Sequence, residues 1–284
     1  TITDFPKACF VVTSRPTGYR PVDDIEIQIP LKRADILDFK PVQQKTFLQN
    51  WFTEVFLSKI PTDSGDTEDP EWENRQKEKA LDKASAVIKF LNKDENKSLL
   101  KLAGIQIMLK IMAMIWNEND TLPESRATLY KKALDYLLGY QYKRRNIVPK
   151  LPEADAIGVL APVALWMQEE LKKDEADQEV MKTRMQKELN KIPKKQKPPK
   201  AKAFSDDLID RAGLLVRYGQ TDYAFRHKSF REYLTGFQLM KNPVMDLSVQ
   251  KLIEHFSEPF WEEPIRFFFG QIDAESFNNF MQNF

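Results

Sequence analysis

The sequence is poor in the residues that build disulfide frameworks and metal sites. Its 284 residues include one cysteine, Cys9, and two histidines, His227 and His255. One cysteine cannot form a disulfide framework, and two histidines this far apart do not have the ligand spacing of a structural zinc site. We therefore predict that no metal is bound by this chain itself and that the protein is cytoplasmic.

Long apolar runs and an excess of one charge are also missing. The most apolar stretch, "LAGIQIMLKIMAMIW", contains Gln106 and Lys110 and is shorter than the roughly 18 residues of a membrane span. The 43 basic and 42 acidic residues leave a net charge of +1, so no overall field attracts nucleic acid or anionic lipid. A hydrophobic content of 42% is enough to form buried cores. The composition predicts a soluble globular protein that does not bind membranes and for which nucleic acid is not the expected partner.

A phosphate-binding loop is a third absence. Such a loop needs a glycine-rich turn followed by Lys and Ser or Thr, and none of the nine glycines lies in that pattern. The acidic strand that holds Mg²⁺ in phosphate-loop ATPases is missing as well. The chain alone is therefore expected neither to bind ATP tightly nor to hydrolyse it.

The apolar pattern predicts a mainly α-helical protein that starts with the end of an α/β domain. Within residues 1–40, "ACFVVT" and "IEIQI" are typical of strands, the first of them buried in a parallel sheet. Helical periodicity begins at Pro41, and one strongly apolar helix is expected over about residues 98–116. We predict a helical domain over residues 41–148.

The next region predicts a winged-helix domain over residues 149–242. Two helices are followed by "PKKQKPPKAK", then a helix that ends at a glycine, a β-hairpin, and a last helix that starts beside His227. The lysine-rich stretch is either a solvated linker or an arm that contacts DNA phosphates. The neighbouring "FSDDLIDRAGLL" is acidic and apolar, which favours the linker. Residues 243–284 are predicted to be a helical segment that leads to a further domain.

Three stretches, in a fixed order, resemble the nucleotide-binding module of NACHT signalling NTPases of the STAND class. "FVVTSRPTGY" resembles the strand that carries a sensor arginine, and "LLKLAGIQIMLKIMAMIWNENDTLPESRATLYKKALDYLL" resembles the helical domain. "AGLLVRYGQTDYAFRHKSFREYLTG" resembles the winged-helix domain. The resemblance implies the C-terminal part of the module, without its phosphate-binding loop, so we expect a piece of a longer protein.

The resemblance also implies three nucleotide-binding residues. Arg15 corresponds to the sensor arginine that faces the terminal phosphate, and His227 to the histidine that contacts the diphosphate of ADP in a closed state. Gln106 takes the place of the proline of an asparagine-proline pair that meets the adenine ring in many relatives. Without the resemblance, Arg15 is also compatible with a residue that caps a turn before Pro16. His227 is likewise compatible with a structural histidine at a helix N-terminus whose hydrogen bonds are made within the protein.

The implied function is that of a sensor in innate immunity or anti-phage defence. Such a protein closes over bound nucleotide and opens to self-associate when it is triggered, with ATP or ADP and Mg²⁺ as cofactors and a weak ATPase activity. The trigger and effector modules would lie outside this sequence. The alternatives are a helical protein-interaction scaffold and a winged-helix module that binds nucleic acid. Catalysis by His227 with Ser229 and Glu232 is disfavoured, because the two latter residues have the spacing of a helix capping box.

Overall fold

The computed structural model describes residues 8–11, 32, 34, 36–58, 70–144, 146–241 and 245–283. Most of the predicted α/β segment, including the strand "IEIQI" and Arg15, lies outside these residues. Residues 8–11 belong to the first predicted strand, but they are exposed and form no regular secondary structure. A strand needs a partner for its hydrogen bonds, and the strands in the described part of the chain pair only with one another. No helix of the described ranges is both long and apolar enough to cross a bilayer.

Six helices form the first half of the described chain. α1 has the predicted apolar face, with Leu48 and Phe52 fully buried, and α5 is capped by the Ser125 side chain, which accepts a hydrogen bond from the Thr128 amide. A π-helical turn over Tyr136–Tyr140 joins α5 to α6. The bounds are α1 Pro41–Leu57, α2 Pro70–Leu91, α3 Lys97–Leu102, α4 Gln106–Asn119, α5 Arg126–Asp135 and α6 Gln141–Arg144.

The prediction of one apolar helix over residues 98–116 was wrong. The chain forms α3 and α4 instead, with a turn at residues 103–105 between them. The Gly104 carbonyl accepts a hydrogen bond from the Phe39 amide at 2.8 Å, and the Cβ of Asp38 would lie 3.3 Å from a side chain at position 104. The break therefore exists because the segment before α1 packs against the backbone at this glycine, a contact that helical periodicity does not reveal.

The second half contains four helices and a three-stranded antiparallel sheet. β1 was not predicted; it has three residues, and its strand character comes from pairing with β3, as Ala176 opposite Tyr223 shows. The predicted hairpin is confirmed as β2 and β3, so that the sheet order is β1-β3-β2. The bounds are α7 Glu153–Trp166, β1 Glu175–Asp177, α8 Gln178–Leu189, α9 Ala201–Asp207, β2 Leu215–Tyr218, β3 Asp222–Phe225 and α10 Lys228–Met240.

Two features explain the sequence signals in this half. A π-helical turn extends α9 to Ala212, and Gly213 ends it in a left-handed conformation with φ of 64°. This backbone angle suits glycine. The lysine-rich stretch between α8 and α9 is exposed, as expected of a solvated connection, with one short 3₁₀ turn over Lys194–Gln196.

Three further helices follow, and two of them, α11 and α12, pack on α10. α12 crosses α10 so closely that a Cβ at Gly236 would lie 2.8 Å from the Phe268 amide nitrogen and 2.9 Å from the Pro264 carbonyl oxygen. A small core around the fully buried Trp261 joins these helices to the C-terminal end of α10. The helices are α11 Met245–Glu254, α12 Glu262–Phe269 and α13 Ala274–Asn283.

Candidate functional site

His227 is the N-cap residue of α10. Its backbone is extended, with φ of −127°, and its carbonyl accepts a hydrogen bond from the Phe230 amide at 3.0 Å. The imidazole is half-buried, makes no hydrogen bond to the first turn of α10, and lies 6.5 Å from the Phe230 ring. The ring therefore does not cap its own helix.

The charges at this end of α10 are opposite to those that a helix N-terminus prefers. Arg226, His227 and Lys228 follow one another, and the first turn contains no acidic residue. The N-terminal end of a helix carries a partial positive charge, which favours anions and disfavours cations. Three basic residues at the positive end of a helix suit an anion such as a phosphate.

The predicted capping box of Ser229 and Glu232 was wrong. Because α10 begins one residue after His227, Ser229 lies within the first turn and does not precede it. Glu232 is buried with 5% of its surface exposed, and its carboxylate faces Lys228 at 3.8 Å. Burial raises the pKa of Glu232, while Lys228 and Arg231 oppose that rise. The residue belongs to the packing of α10.

A buried arginine holds α10 one turn beyond His227. Arg231 is 1% exposed and hydrogen-bonds to Gln168, which is itself fully buried, and to the Asp174 carboxylate at 2.8 Å. The guanidinium lies 4.7 Å from the centre of the Phe260 ring, and the Gln168 amide donates to the Phe260 carbonyl at 2.8 Å. A buried charge is tolerated only with such partners. This network ties α10 to the end of α7 and to the segment before α12.

A second link joins α10, α5 and α12. The Arg126 guanidinium forms an ion pair with Glu263 at 2.5 Å and lies 4.9 Å from the centre of the Phe267 ring. Tyr130 stacks on Tyr233 at 5.9 Å and meets the edge of Phe267 at 4.9 Å. Burial raises the pKa of the Tyr130 hydroxyl. Packing of this kind fixes the position of α10 and, with it, that of His227.

Gln106 is the first residue of α4, and Ile105 is its N-cap. The Gln106 side chain donates a hydrogen bond to the Leu37 carbonyl at 3.2 Å. Proline is favoured at the first helical position and asparagine at the N-cap, so this is where a helix accepts the asparagine-proline pair of the resembled family. In this structure the side-chain amide is engaged with the backbone of the chain itself.

Gln106 and His227 lie on different helices that share a neighbour. α4 and α10 each pack on α5. Arg15 lies outside the described residues, so its place relative to the other two stays a prediction.

A cleft of about 510 Å³ lies between α4, α5 and the start of α7, and sequence reasoning missed it. Its walls include Ile111, Met114 and Leu138, and Glu153 enters it beside Gly139. Burial, followed by a hydrogen bond with Asp135 and the charge of that carboxylate, raises the pKa of Glu153 to about 7. Two acidic residues that are distant in sequence and lie on different helices give no pattern from which their pairing could be predicted.

Two carboxylates on α9 and on the π-helical turn that extends it pair with an arginine of β2. Asp206 and Asp210 face Arg217 on β2 at 3.6 Å and 3.9 Å, and Asp207 is buried, where it accepts a hydrogen bond from the Tyr142 hydroxyl at 2.9 Å. In helix-turn-helix proteins the second helix of the motif enters the major groove. Carboxylates on that surface repel DNA phosphates.

The comparison with known families agrees with this arrangement. Residues 126–239 match the family model described as a winged helix-turn-helix domain C-terminal to NACHT. The matched range begins with α5, ahead of the predicted domain boundary at residue 149, and contains the three strands and almost all of α10. No curated protein matches the chain with significant similarity. Residues 126–239 of this chain are therefore similar to the winged helix-turn-helix domains that lie C-terminal to NACHT.

Proposed function

We propose that this chain is a regulatory part of a NACHT-type signalling protein, in which α10 closes over a bound nucleoside diphosphate through His227. The observation that carries the proposal is the position of His227 in a NACHT-associated winged helix. The imidazole sits with two other basic residues at the positive end of a 13-residue helix that has no acidic residue in its first turn. An anion at this point offsets the mutual repulsion of these charges and accepts hydrogen bonds from them.

The packing of α10 supports a defined contact with the ligand. Arg231 ties the helix to Asp174, and Tyr130 of α5 stacks on Tyr233 of the helix, so that the imidazole is presented from a fixed backbone. Hydrogen-bond donors that are fixed before binding lose less entropy when the ligand arrives. His227 would contact the diphosphate of ADP, Gln106 would lie near the base, and Arg15 would face the terminal phosphate of ATP.

Closure over ADP and opening with ATP would make the protein a switch. A ligand shifts such an equilibrium only through a difference in affinity for the two states. A contact from His227 made only in the closed state supplies that difference for ADP, and a contact from Arg15 supplies it for ATP. Opening would expose surfaces for self-association, as expected of a defence or innate-immune sensor. Mg²⁺ and a phosphate-binding loop would complete the site in the intact protein.

The test compares His227→Ala with wild type in the intact protein. Loss of a hydrogen bond to a charged group costs about 1.5 to 3 kcal/mol, which corresponds to a shift of roughly 10- to 150-fold toward the open state. We expect faster release of ADP and larger oligomers without a trigger. Arg15→Ala is expected to act in the opposite direction, with less activation by ATP. The measurements are the ADP off-rate and the oligomer size.

The other histidine provides the matched control. His255 is partly buried, stacks on the Trp261 ring at 4.4 Å and hydrogen-bonds to Glu258 at 2.9 Å. His255→Ala removes a histidine of the same size from a packed position without touching the start of α10. It should lower the melting temperature and leave the ADP off-rate unchanged. A lower melting temperature without a change in the off-rate for His227→Ala would show that His227 only packs.

The scaffold alternative makes a different prediction with the same intact protein. Without nucleotide dependence, the oligomer size would be equal with ADP and with ATP in wild type. The nucleic-acid alternative is disfavoured by the carboxylates on α9 and on the π-helical turn that extends it.

A further inference from the structure

The connection between α8 and α9, residues 191–202, carries a concentrated positive charge. We call it the basic segment. It contains six lysines and no acidic residue, in a chain whose net charge is +1. All six are exposed, and Lys191 pairs with Glu188 at 2.6 Å. The described residues provide no ion-pair partner for the other five, which are Lys194, Lys195, Lys197, Lys200 and Lys202.

The basic segment is held in place. Its backbone is restricted by the 3₁₀ turn Lys194–Gln196 and by the prolines Pro198 and Pro199. At its end, the Ala201 amide donates a hydrogen bond to the Gln186 side chain at 2.9 Å. Restricting a segment before binding lowers the entropy that is lost on binding. This surface is therefore better prepared for a partner than a flexible lysine-rich tail.

A surface of opposite charge lies in the first half of the chain. The end of α4 and the turn after it, residues 118–124, carry Glu118, Asp120 and Glu124 and no basic residue, and all three are exposed. Asp120 pairs with Lys83 at 3.1 Å, whereas Glu118 and Glu124 have no ion pair in the described part of the chain. We call residues 118–124 the acidic turn. No ion pair joins it to the basic segment within the described residues of one molecule.

We propose that the basic segment of one molecule binds the acidic turn of a second copy of this chain. Exposed charges of opposite sign attract at short range, and a net charge close to zero leaves little overall repulsion between copies. Because the two surfaces are different, the contact can form twice in a two-fold symmetric pair or once between successive copies of a ring or filament. The inference deepens the self-association in the proposed function but requires no bound nucleotide.

Two other classes of polyanion fit the basic segment less well. Between residues 191 and 202 there is no aromatic side chain for base stacking and no arginine for base contacts. The next exposed charges along α9 are carboxylates, which repel phosphate backbones. Stable attachment to an anionic membrane needs apolar groups beside the lysines, and the apolar residues here other than proline, Ile192 and Ala201, are half-buried and buried.

The experiment measures self-association of the full chain by sedimentation velocity at about 50 mM and about 300 mM salt. The higher salt concentration shortens the Debye length and so screens the attraction between exposed charges. Wild type should associate weakly at low salt and less at high salt. Gln replacement of Lys194, Lys195, Lys197 and Lys200 should weaken association about tenfold, because exposed ion pairs contribute little singly and add up in groups. The same number of exposed lysines changed to Gln elsewhere, at Lys45, Lys79, Lys89 and Lys101, should have no such effect.

A charge exchange identifies the partner surface. Two double variants are compared: one carries Glu118→Lys and Glu124→Lys, and the other carries Lys194→Glu and Lys197→Glu. Each variant alone should fail to associate, and a mixture of the two should associate again. A monomeric wild type at low salt, equal losses in the lysine control, or no recovery in the mixture would overturn the proposal. So would binding of a DNA duplex or of phosphatidylserine vesicles that depends on the same lysines while self-association does not. Failure here would leave the ADP off-rate test of His227 unaffected.

Discussion

At the scale of single residues, Glu153 connects the stability of the fold to pH. The side chain sits at the start of α7, in the cleft beside Asp135, and its pKa is raised from 4.5 to about 7. Between these two values the folded protein holds a proton that the unfolded chain has lost. Protonation therefore stabilises the folded state in this range, and the contribution disappears as the pH rises through 7.

The variant Glu153→Gln tests this linkage. Gln cannot ionise, so at pH 8 it avoids a charge that the cleft disfavours, whereas at pH 5 it replaces a carboxyl that is protonated in the folded state and partly ionised in the unfolded chain. We expect the variant to exceed wild type in free energy of unfolding by about 1 kcal/mol at pH 8, a value reduced for partial exposure to solvent, and by clearly less at pH 5. Urea unfolding at both pH values measures the difference.

The exposed Glu54 on α1 provides the control for this experiment. Glu54→Gln should change the stability equally at the two pH values. An equal change at both pH values for Glu153→Gln would contradict the assignment of the raised pKa to the cleft.

Single residues differ in how far they could be predicted from the sequence. The sequence indicates His227 because it is one of two histidines and follows a predicted hairpin. The structure confirms that it stands at the start of a helix. Arg231, Gln168 and Asp174 are ordinary polar residues in the sequence. Their importance arises from a shared contact around the buried Arg231 between positions more than 50 residues apart, and local patterns do not contain that information.

At the scale of elements, the crossing of α10 and α12 depends on a residue without a side chain. Gly236 lies at the closest approach, where a Cβ would be 2.8 Å from one backbone atom and 2.9 Å from another. Neither atom belongs to a flexible side chain, so the two helices would have to move apart to accept a methyl group. The Tyr130 cluster packs against both helices, and the Arg126–Glu263 pair joins α12 to α5.

Gly236→Ala is therefore expected to destabilise the protein. Alanine ordinarily stabilises a helix interior relative to glycine by roughly 0.5 to 1 kcal/mol, but overpacking costs typically 1 to 3 kcal/mol. Gly158 on α7 is the matched control, because a Cβ there meets nothing within 4 Å. Thermal unfolding should show a lower melting temperature for Gly236→Ala and a higher one for Gly158→Ala. An increase for both variants would mean that the crossing is looser than described.

Elements with strong local signals could be predicted, and those created by packing could not. The apolar face of α1, the hairpin of β2 and β3, and the end of α9 at Gly213 follow from spacing and from glycine. The break at Gly104 and the strand β1 depend on distant partners, namely the segment before α1 and β3. The winged helix was recognisable because several weak signals occurred in a fixed order.

At the scale of the whole molecule, one buried cluster runs through the described helices. It contains Leu48 on α1, Met112 on α4, Tyr130 on α5, Phe204 on α9 and Phe267 on α12. The separate domains predicted over residues 41–148 and 149–242 therefore share a continuous apolar core in this state. Opening of the proposed switch would have to divide that core or move it as one unit.

The pairing of β1 with β3 has a consequence for chain cleavage. These strands close a loop that contains α8, the exposed 3₁₀ turn and α9. Contacts between α7 and α10 and between α8 and α9 also join the parts of the chain before and after this turn. Within residues 146–241, trypsin should cut first after Lys194 or Lys195, where the backbone is exposed and takes part in no sheet. The two pieces should then separate in a denaturing gel but elute together at the size of the uncut protein in gel filtration. Pieces that elute apart would show that the strand pairing and helix contacts are too weak to replace the missing peptide bond. A protein that stays whole after such a cut could be reconstituted from two separately produced halves.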